Sequence, residues 1–210
     1  LWDAHGAAKS RLIDLVAART GQTIPGGALI LGFARRFAPY KRGDMLISDP
    51  ERTLALLGDS NRPVVLLYGG KAHPRDGAGL DIIRNVVLAG RRPDLAGRVI
   101  FVPNYDIGVG RAMVQGADVW INNPRRPLEA SGTSGQKVAM NGGLNCSTLD
   151  GWWVEGYELE PQAGWAVGPL EPARNNEVGD RVDRDAAARP DVGPGISLES
   201  GMFPRWVRRP

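Results

Sequence analysis

"ALILGFA" occupies residues 28–34 and is followed at once by "RRFAPYKR". An unbroken apolar run with no polar alternation fits a strand covered on both faces, which is the condition of a parallel sheet. The same signature returns in "VVLLYGG" at 64–70, "RVIFVP" at 98–103 and "ADVWINN" at 117–123. Helical spacing fills the intervals: 41–58, interrupted by Pro50, then 78–91 and 107–116. Helical spacing also marks the second half of the first twenty residues, and "GGLNCSTLD" at 142–150 reads as a further strand. Strands alternating with helices predict an α/β fold, a Rossmann-like mostly parallel sheet with helices on both faces. Ligands of such sheets sit beyond the carboxyl ends of the strands. The segments to search for chemistry are therefore "RRFAPYKR", "GGKAHPRD", "PNYD" and "NNPRRPLEASGTSGQK".

Composition narrows the function classes. The 210 residues are 42% hydrophobic and 23% charged, a globular balance with material for one large core. The formal net charge of +3 is too mild to point to nucleic acid, but it suits a site that holds anions. Cys146 is the single cysteine, so no intrachain disulfide can form, and a reducing, cytoplasmic setting is expected. With only His5 and His73 beside it, a His/Cys metal site is not expected. No apolar run reaches membrane-spanning length and no signal-peptide pattern opens the chain, so no membrane partner is expected. Residues 169–210 turn dense in Pro, Gly, Arg and Asp and lose sustained period. They read as an irregular tail behind a domain of residues 1–168.

"EASGTSGQK", Glu129 to Lys137, is the most informative of the strand-end segments. It is not a Walker loop: Gln136 separates Gly135 from Lys137, and Val138 stands where a hydroxyl is required. "GVGRAMVQG", with Gly108 and Gly110, lacks the dinucleotide spacing. Two readings remain. In one, Ser131 or Thr133 caps a helix starting near Thr133, and Lys137 lies on its solvated face. In the other, the amides of residues 132–135 converge with the helix dipole behind them into a phosphate seat. Lys137 then presents its amine one turn inside, and Glu129, Gly132 and Gly135 also acquire a purpose. A desolvated amine flanked by cations loses its proton readily and condenses with aldehydes, so seat plus amine suits pyridoxal phosphate. The cluster Arg35, Arg36, Lys41 and Arg42 is either a solvated charge run or an anion clamp. Its interleaved Phe37 and Tyr40 and its place at a strand end favour the clamp. Lys71 adds a cation at another strand end.

Together these motifs resemble the α-glucan phosphorylases, the pyridoxal-phosphate-dependent members of the GT-B glycosyltransferases. The family pattern E-A-S-G-T-x-x-x-K matches "EASGTSGQK" at every fixed position. "GFARRFAPYKR", "YGGKAHPRD", "GWAVG" and the stretch "DVWINNPRRPLEASGTSGQKVAMNGGLNCSTLDGWWVEGYE" are similar to the short bacterial and archaeal branch. The resemblance covers roughly residues 1–168 and implies the C-terminal, cofactor-binding half of a GT-B fold.

The resemblance further implies an enzyme that cleaves terminal α-1,4-glucosyl units of glucan or maltodextrin with inorganic phosphate. Glucose 1-phosphate is released with retention, and the phosphate of pyridoxal 5'-phosphate takes part in the proton transfer. By position, Lys137 would hold the cofactor, and Gly132, Thr133, Ser134 and Gly135 would cradle its phosphate. Arg35 would stand near that phosphate and Tyr105 against the cofactor. Arg36 and Lys41 would bind substrate and cofactor phosphate. Glu129, Ala130, Ser131 and Gly132 would meet the glucosyl unit. Asp106 departs from the animal enzymes, which carry an arginine there. The opposite wall of the cleft is expected from an N-terminal domain outside these residues, without which the fragment should be inactive. Association into homo-oligomers stays open. Two alternatives remain: a sugar-nucleotide transferase of glycogen-synthase type, which needs no such lysine, and a non-catalytic glucan- or partner-binding fragment.

Overall fold

In the computed structural model, which describes residues 2–171 and 175–188, six strands build one sheet. They are β1 (Leu29–Ala34), β2 (Val64–Gly69), β3 (Val99–Val102), β4 (Val119–Asn122), β5 (Leu144–Thr148) and β6 (Gly164–Val167). Their order is β3-β2-β1-β4-β5-β6 and every neighbouring pair is parallel. The first four are the strands expected from the apolar runs, and β5 is the further strand expected from "GGLNCSTLD". From β1 the chain steps outward to β3, then returns to the other flank for β4 to β6. The connections leaving β1 and β4 therefore diverge, opening a crevice at their carboxyl ends, the topological switch point.

Seven helices accompany the sheet: α1 (Trp2–Thr20), α2 (Pro50–Leu57), α3 (Gly77–Arg91), α4 (Ile107–Gly116), α5 (Thr133–Met140), α6 (Trp153–Leu159) and α7 (Asn176–Ala188). The apolar runs are unbroken because successive side chains feed two different cores. Leu66 and Tyr68 face a core closed by Leu57 of α2 and Ile82, Val86 and Ala89 of α3. Val65 and Leu67 face one closed by Leu12 and Val16 of α1, Val109 and Met113 of α4 and Val138 of α5. Trp120, fully buried in the second core, lies across β1. A Cβ on Gly32 would sit 2.9 Å from its ring, so only glycine admits it.

Four features depart from the sequence expectation. Pro50 does not interrupt a helix; it opens α2, where a missing N–H costs nothing, and Asp49 caps it by accepting from Arg52 N at 3.2 Å. The residues before it form two short 3-10 turns, Pro39–Lys41 and Met45–Ile47. Strand β6 and helix α6 were not anticipated. Finally, part of the segment read as an irregular tail is helix α7. Its Val178 and Val182 are exposed, and its anchor is charge. Asp180 pairs with Arg42 at 3.1 Å and Arg125 at 2.5 Å, and Asp183 with Arg42 at 2.7 Å and Arg126 at 2.5 Å. Residues 189–210 of that expected tail lie outside the described residues. Among the described residues no helix is long and apolar enough to cross a membrane.

Candidate active site

Strand β1 ends at Ala34 and delivers Arg35 into the crevice, with the Arg35 amide still held by the Gly69 carbonyl at 3.2 Å. The Pro39–Lys41 turn then brings Lys41 back to the same place. Arg42, in the left-handed region at φ 48°, closes that turn. Its buried guanidinium donates to the carbonyls of Asn123 at 2.8 Å and Pro124 at 3.1 Å, and Asn123 Nδ2 donates back to the Arg42 carbonyl at 2.9 Å. Arg42 is thus consumed in stitching the loop after β1 to the loop after β4.

The β4 loop carries Glu129 onto both cations. Its Oε2 accepts from Lys41 Nζ at 2.5 Å and from Arg35 Nη1 at 3.2 Å. The three side chains are only 6–12% exposed. Glu129 is aimed by its own backbone, whose N–H donates to Asp150 Oδ2 at 2.9 Å. Arg35 Nη2 donates to Ser134 Oγ at 3.0 Å, while its Nε is buried without an acceptor. Burial pulls the Arg35 pKa below its ordinary value, with Glu129 and Tyr40 opposing. Two buried cations therefore share one oxygen of Glu129, with the buried carboxylate of Asp150 on the Glu129 backbone as the nearby second negative charge.

Helix α5 starts beside this cluster. Its N-cap is Gly132, at φ 81°, with no side-chain cap, so neither Ser131 nor Thr133 plays the capping role the sequence suggested. Gly132 is packed among Trp152, Asn122 and Glu129. A Cβ on Gly135 would lie 2.6 Å from Asn145 Oδ1 and 3.0 Å from Trp152 Nε1, so any side chain would force the helix start outward. Of the amides expected to converge, that of Gly135 turns back to the Gly132 carbonyl at 3.1 Å. Those of Thr133 and Ser134, in the first turn, have no intrahelical acceptor. Lys137 is exposed and donates to Thr133 Oγ1 at 3.3 Å, on the same face of the helix.

Other expected residues are not drawn into this cluster. Arg36 and Lys71 are exposed and make no ion pair with the described residues. Tyr105 follows β3, beyond β2. Its ring covers Gly69 and its hydroxyl covers Gly110, where added Cβ atoms would lie 3.0 and 2.7 Å away. Burial, then the charge of Asp106, raises its phenol pKa. Asp106, the departure noted in the sequence, caps α4 by accepting from Val109 N at 2.8 Å and pairs with Arg19 at 2.9 Å. Ala130 and Ser131 form the bend between Glu129 and the helix; the Ser131 carbonyl accepts from Trp152 N at 2.9 Å. Sequence reasoning missed Asp150 and Trp152. Their signal was the "LDGWW" turn directly after β5, a strand end like the others.

As a donor set, this rim suits a phosphate joined to an aldehyde. It offers two first-turn amides, two buried cations, an Arg35 Nε–H without an acceptor, and an accessible lysine amine bonded to no acid. Among the described residues no cluster of His, Cys, Asp or Glu is placed to hold a metal.

Comparison with known proteins gives a consistent picture. Residues 2–162 match the family model described as carbohydrate phosphorylase. The chain is 47% identical to a maltodextrin phosphorylase of Thermococcus litoralis over 82% of its own length and 22% of that protein. It is 39% identical to a glycogen phosphorylase of Aquifex aeolicus over its whole length and 31% of that protein. The corresponding figures for a glycogen phosphorylase of Mycobacterium tuberculosis are 43% and 25%. The chain thus spans between 22% and 31% of the length of these relatives.

Proposed function

The chain belongs to the carbohydrate phosphorylase family, and we propose that it forms the cofactor- and phosphate-binding wall of an α-1,4-glucan phosphorylase. The reaction assigned is phosphorolysis of terminal α-1,4-glucosyl units of glucan or maltodextrin to glucose 1-phosphate with retention. The observation that carries this reading is the pair of buried cations beside the start of α5. Arg35 and Lys41 share one carboxylate oxygen, and the Arg35 Nε is buried without an acceptor.

In this proposal Lys137 holds pyridoxal phosphate by its amine. The Thr133 and Ser134 amides, Arg35 and Lys41 surround the phosphate. When bound, the cofactor supplies a phosphate group able to exchange a proton near neutral pH. Arg36, exposed and unpaired among the described residues, takes the inorganic phosphate. Two phosphates about 4 Å apart repel by roughly 4 kcal/mol per unit charge pair at an effective dielectric near 20. Arg35, Arg36, Lys41 and the helix amides offset that repulsion. Glu129 uses only Oε2 for its cations. Oε1 is left to accept from glucosyl hydroxyls, and the carboxylate charge favours a developing oxocarbenium ion.

The relatives' greater length supports a further part of the proposal: the wall facing the sugar comes from sequence outside these residues. Holding phosphate, sugar and leaving oxygen together is a positioning effect worth about 7–11 kcal/mol. Half of a cleft forfeits most of it. The test is glucose 1-phosphate release from maltodextrin, phosphate and cofactor. These 210 residues by themselves should release none. Joined to the preceding part of a related phosphorylase, they should release it, and Lys137→Ala should abolish that release. Release by the joined protein that ignores Lys137→Ala would refute the proposal.

A further inference from the structure

We infer that the Ser134 hydroxyl is a positioning residue for the phosphate site: it holds Arg35 in place and keeps its own proton for the bound anion. The inference rests on the functional reading above and adds a side chain to it.

Ser134 stands in the first turn of α5 and is half-buried. Its Oγ accepts from Arg35 Nη2 at 3.0 Å and from Trp120 Nε1 at 3.2 Å. A hydroxyl has two lone pairs and one proton. Both lone pairs are engaged, so the proton is left for a third partner. Trp120 is fully buried and lies across β1 against Gly32, so its indole N–H is a fixed point. Ser134 thereby ties three elements at one atom: β4 through Trp120, the end of β1 through Arg35, and the helix that carries Lys137.

Arg35 depends on this tie. Among the described residues its guanidinium has two acceptors, Glu129 Oε2 at 3.2 Å and Ser134 Oγ at 3.0 Å, and its Nε has none. The Glu129 contact is shared with Lys41, whose bond to the same oxygen is shorter, at 2.5 Å. Without Ser134 the guanidinium would keep one shared contact and could rotate about it. The Trp120 N–H would lose the acceptor it has here.

The experiment compares binding of pyridoxal 5'-phosphate with binding of pyridoxal, which has the aldehyde but no phosphate, in the wild-type chain, Ser134→Ala and Ser134→Thr. Exchange of the Trp120 indole N–H is followed by NMR in each. Ser134→Ala should weaken pyridoxal 5'-phosphate by about tenfold, leave pyridoxal within about twofold, and speed indole exchange. Ser134→Thr, which keeps the hydroxyl, should restore all three readings. Equal losses for the two aldehydes would mean simple loss of packing and overturn the inference, as would unchanged phosphate affinity in a folded Ser134→Ala. If wild type holds neither aldehyde, the cofactor reading falls separately. Indole exchange then decides: unchanged rates in Ser134→Ala would remove the tie itself.

Discussion

Asp118 and Glu129 are part-buried carboxylates lying on either side of β4, one just before the strand and one in the loop after it, and they are met by different cations: a lysine beside a histidine in one case, a lysine and an arginine in the other. Asp118 Oδ1 accepts from His5 Nε2 at 3.0 Å; Oδ2 accepts from Lys9 Nζ at 2.6 Å and from the Ile30 amide at 2.7 Å. One lysine answers one carboxylate. Burial pushes the Asp118 pKa up, but the bond to His5, the charge and bond of Lys9 and the Ile30 amide outweigh it, leaving it below the ordinary value. Glu129 faces Lys41 and Arg35 together. The Asp118 cluster is a latch that fastens α1 to the sheet. The Glu129 cluster is where the proposed phosphate group would bind.

The largest expected effect tests the latch. Asp118→Ala would leave Lys9 and the Ile30 amide without their acceptor, costing about 3–5 kcal/mol in chemical denaturation. Added phosphate or pyridoxal phosphate should not restore it. Glu129→Gln keeps one acceptor oxygen but removes the charge, and should cost about 1–3 kcal/mol. Here saturating pyridoxal phosphate should recover most of the loss in a thermal-shift assay. No recovery would make Glu129 a second latch and end the contrast.

The pH dependence follows from the lowered Asp118 pKa. A carboxyl that titrates lower when folded contributes stability that is fully present above its unfolded pKa, near 4. That contribution is lost as pH falls through the folded value. Stability of the wild-type chain should therefore decline more steeply below about pH 4 than that of Asp118→Asn. Parallel declines would show that the latch carries no net charge coupling. The smallest effect is on Arg36. Arg36→Ala, at an exposed and unpaired position, should change stability by less than about 0.5 kcal/mol. In a complete enzyme it should raise the KM for phosphate, whereas Lys41→Ala should impair both phosphate use and cofactor retention.

The sequence made both ends of β4 only partly legible. Strands β1 to β4 stood out because the side chains of each enter two cores, leaving no polar alternation to confuse the pattern, whereas β5 enters only one, through Leu144 and Cys146. Strand β6 alternates partly buried with buried positions at the sheet edge and is only four residues long, too short for a periodic signal. Helix α7 escaped because its one buried residue in the described part is Asp183, and arginine contacts replace an apolar face. At the site, Arg35, Lys41, Glu129 and Lys137 were each visible in motifs. The ion pairs among the first three were not, since Arg35 and Lys41 lie 94 and 88 residues from Glu129. Gly132 was seen as part of a seat, but its left-handed conformation, which removes the need for a hydroxyl cap, is a backbone property that spacing does not encode.

The contrast finally rests on whether the start of α5 receives a phosphorylated aldehyde. The direct measurement is borohydride reduction of the chain after incubation with pyridoxal phosphate, followed by peptide mass mapping. The expected result is one adduct, on Lys137, absent from Lys137→Ala. An adduct on Lys41 or Lys71, or cofactor retention unchanged in Lys137→Ala, would contradict it.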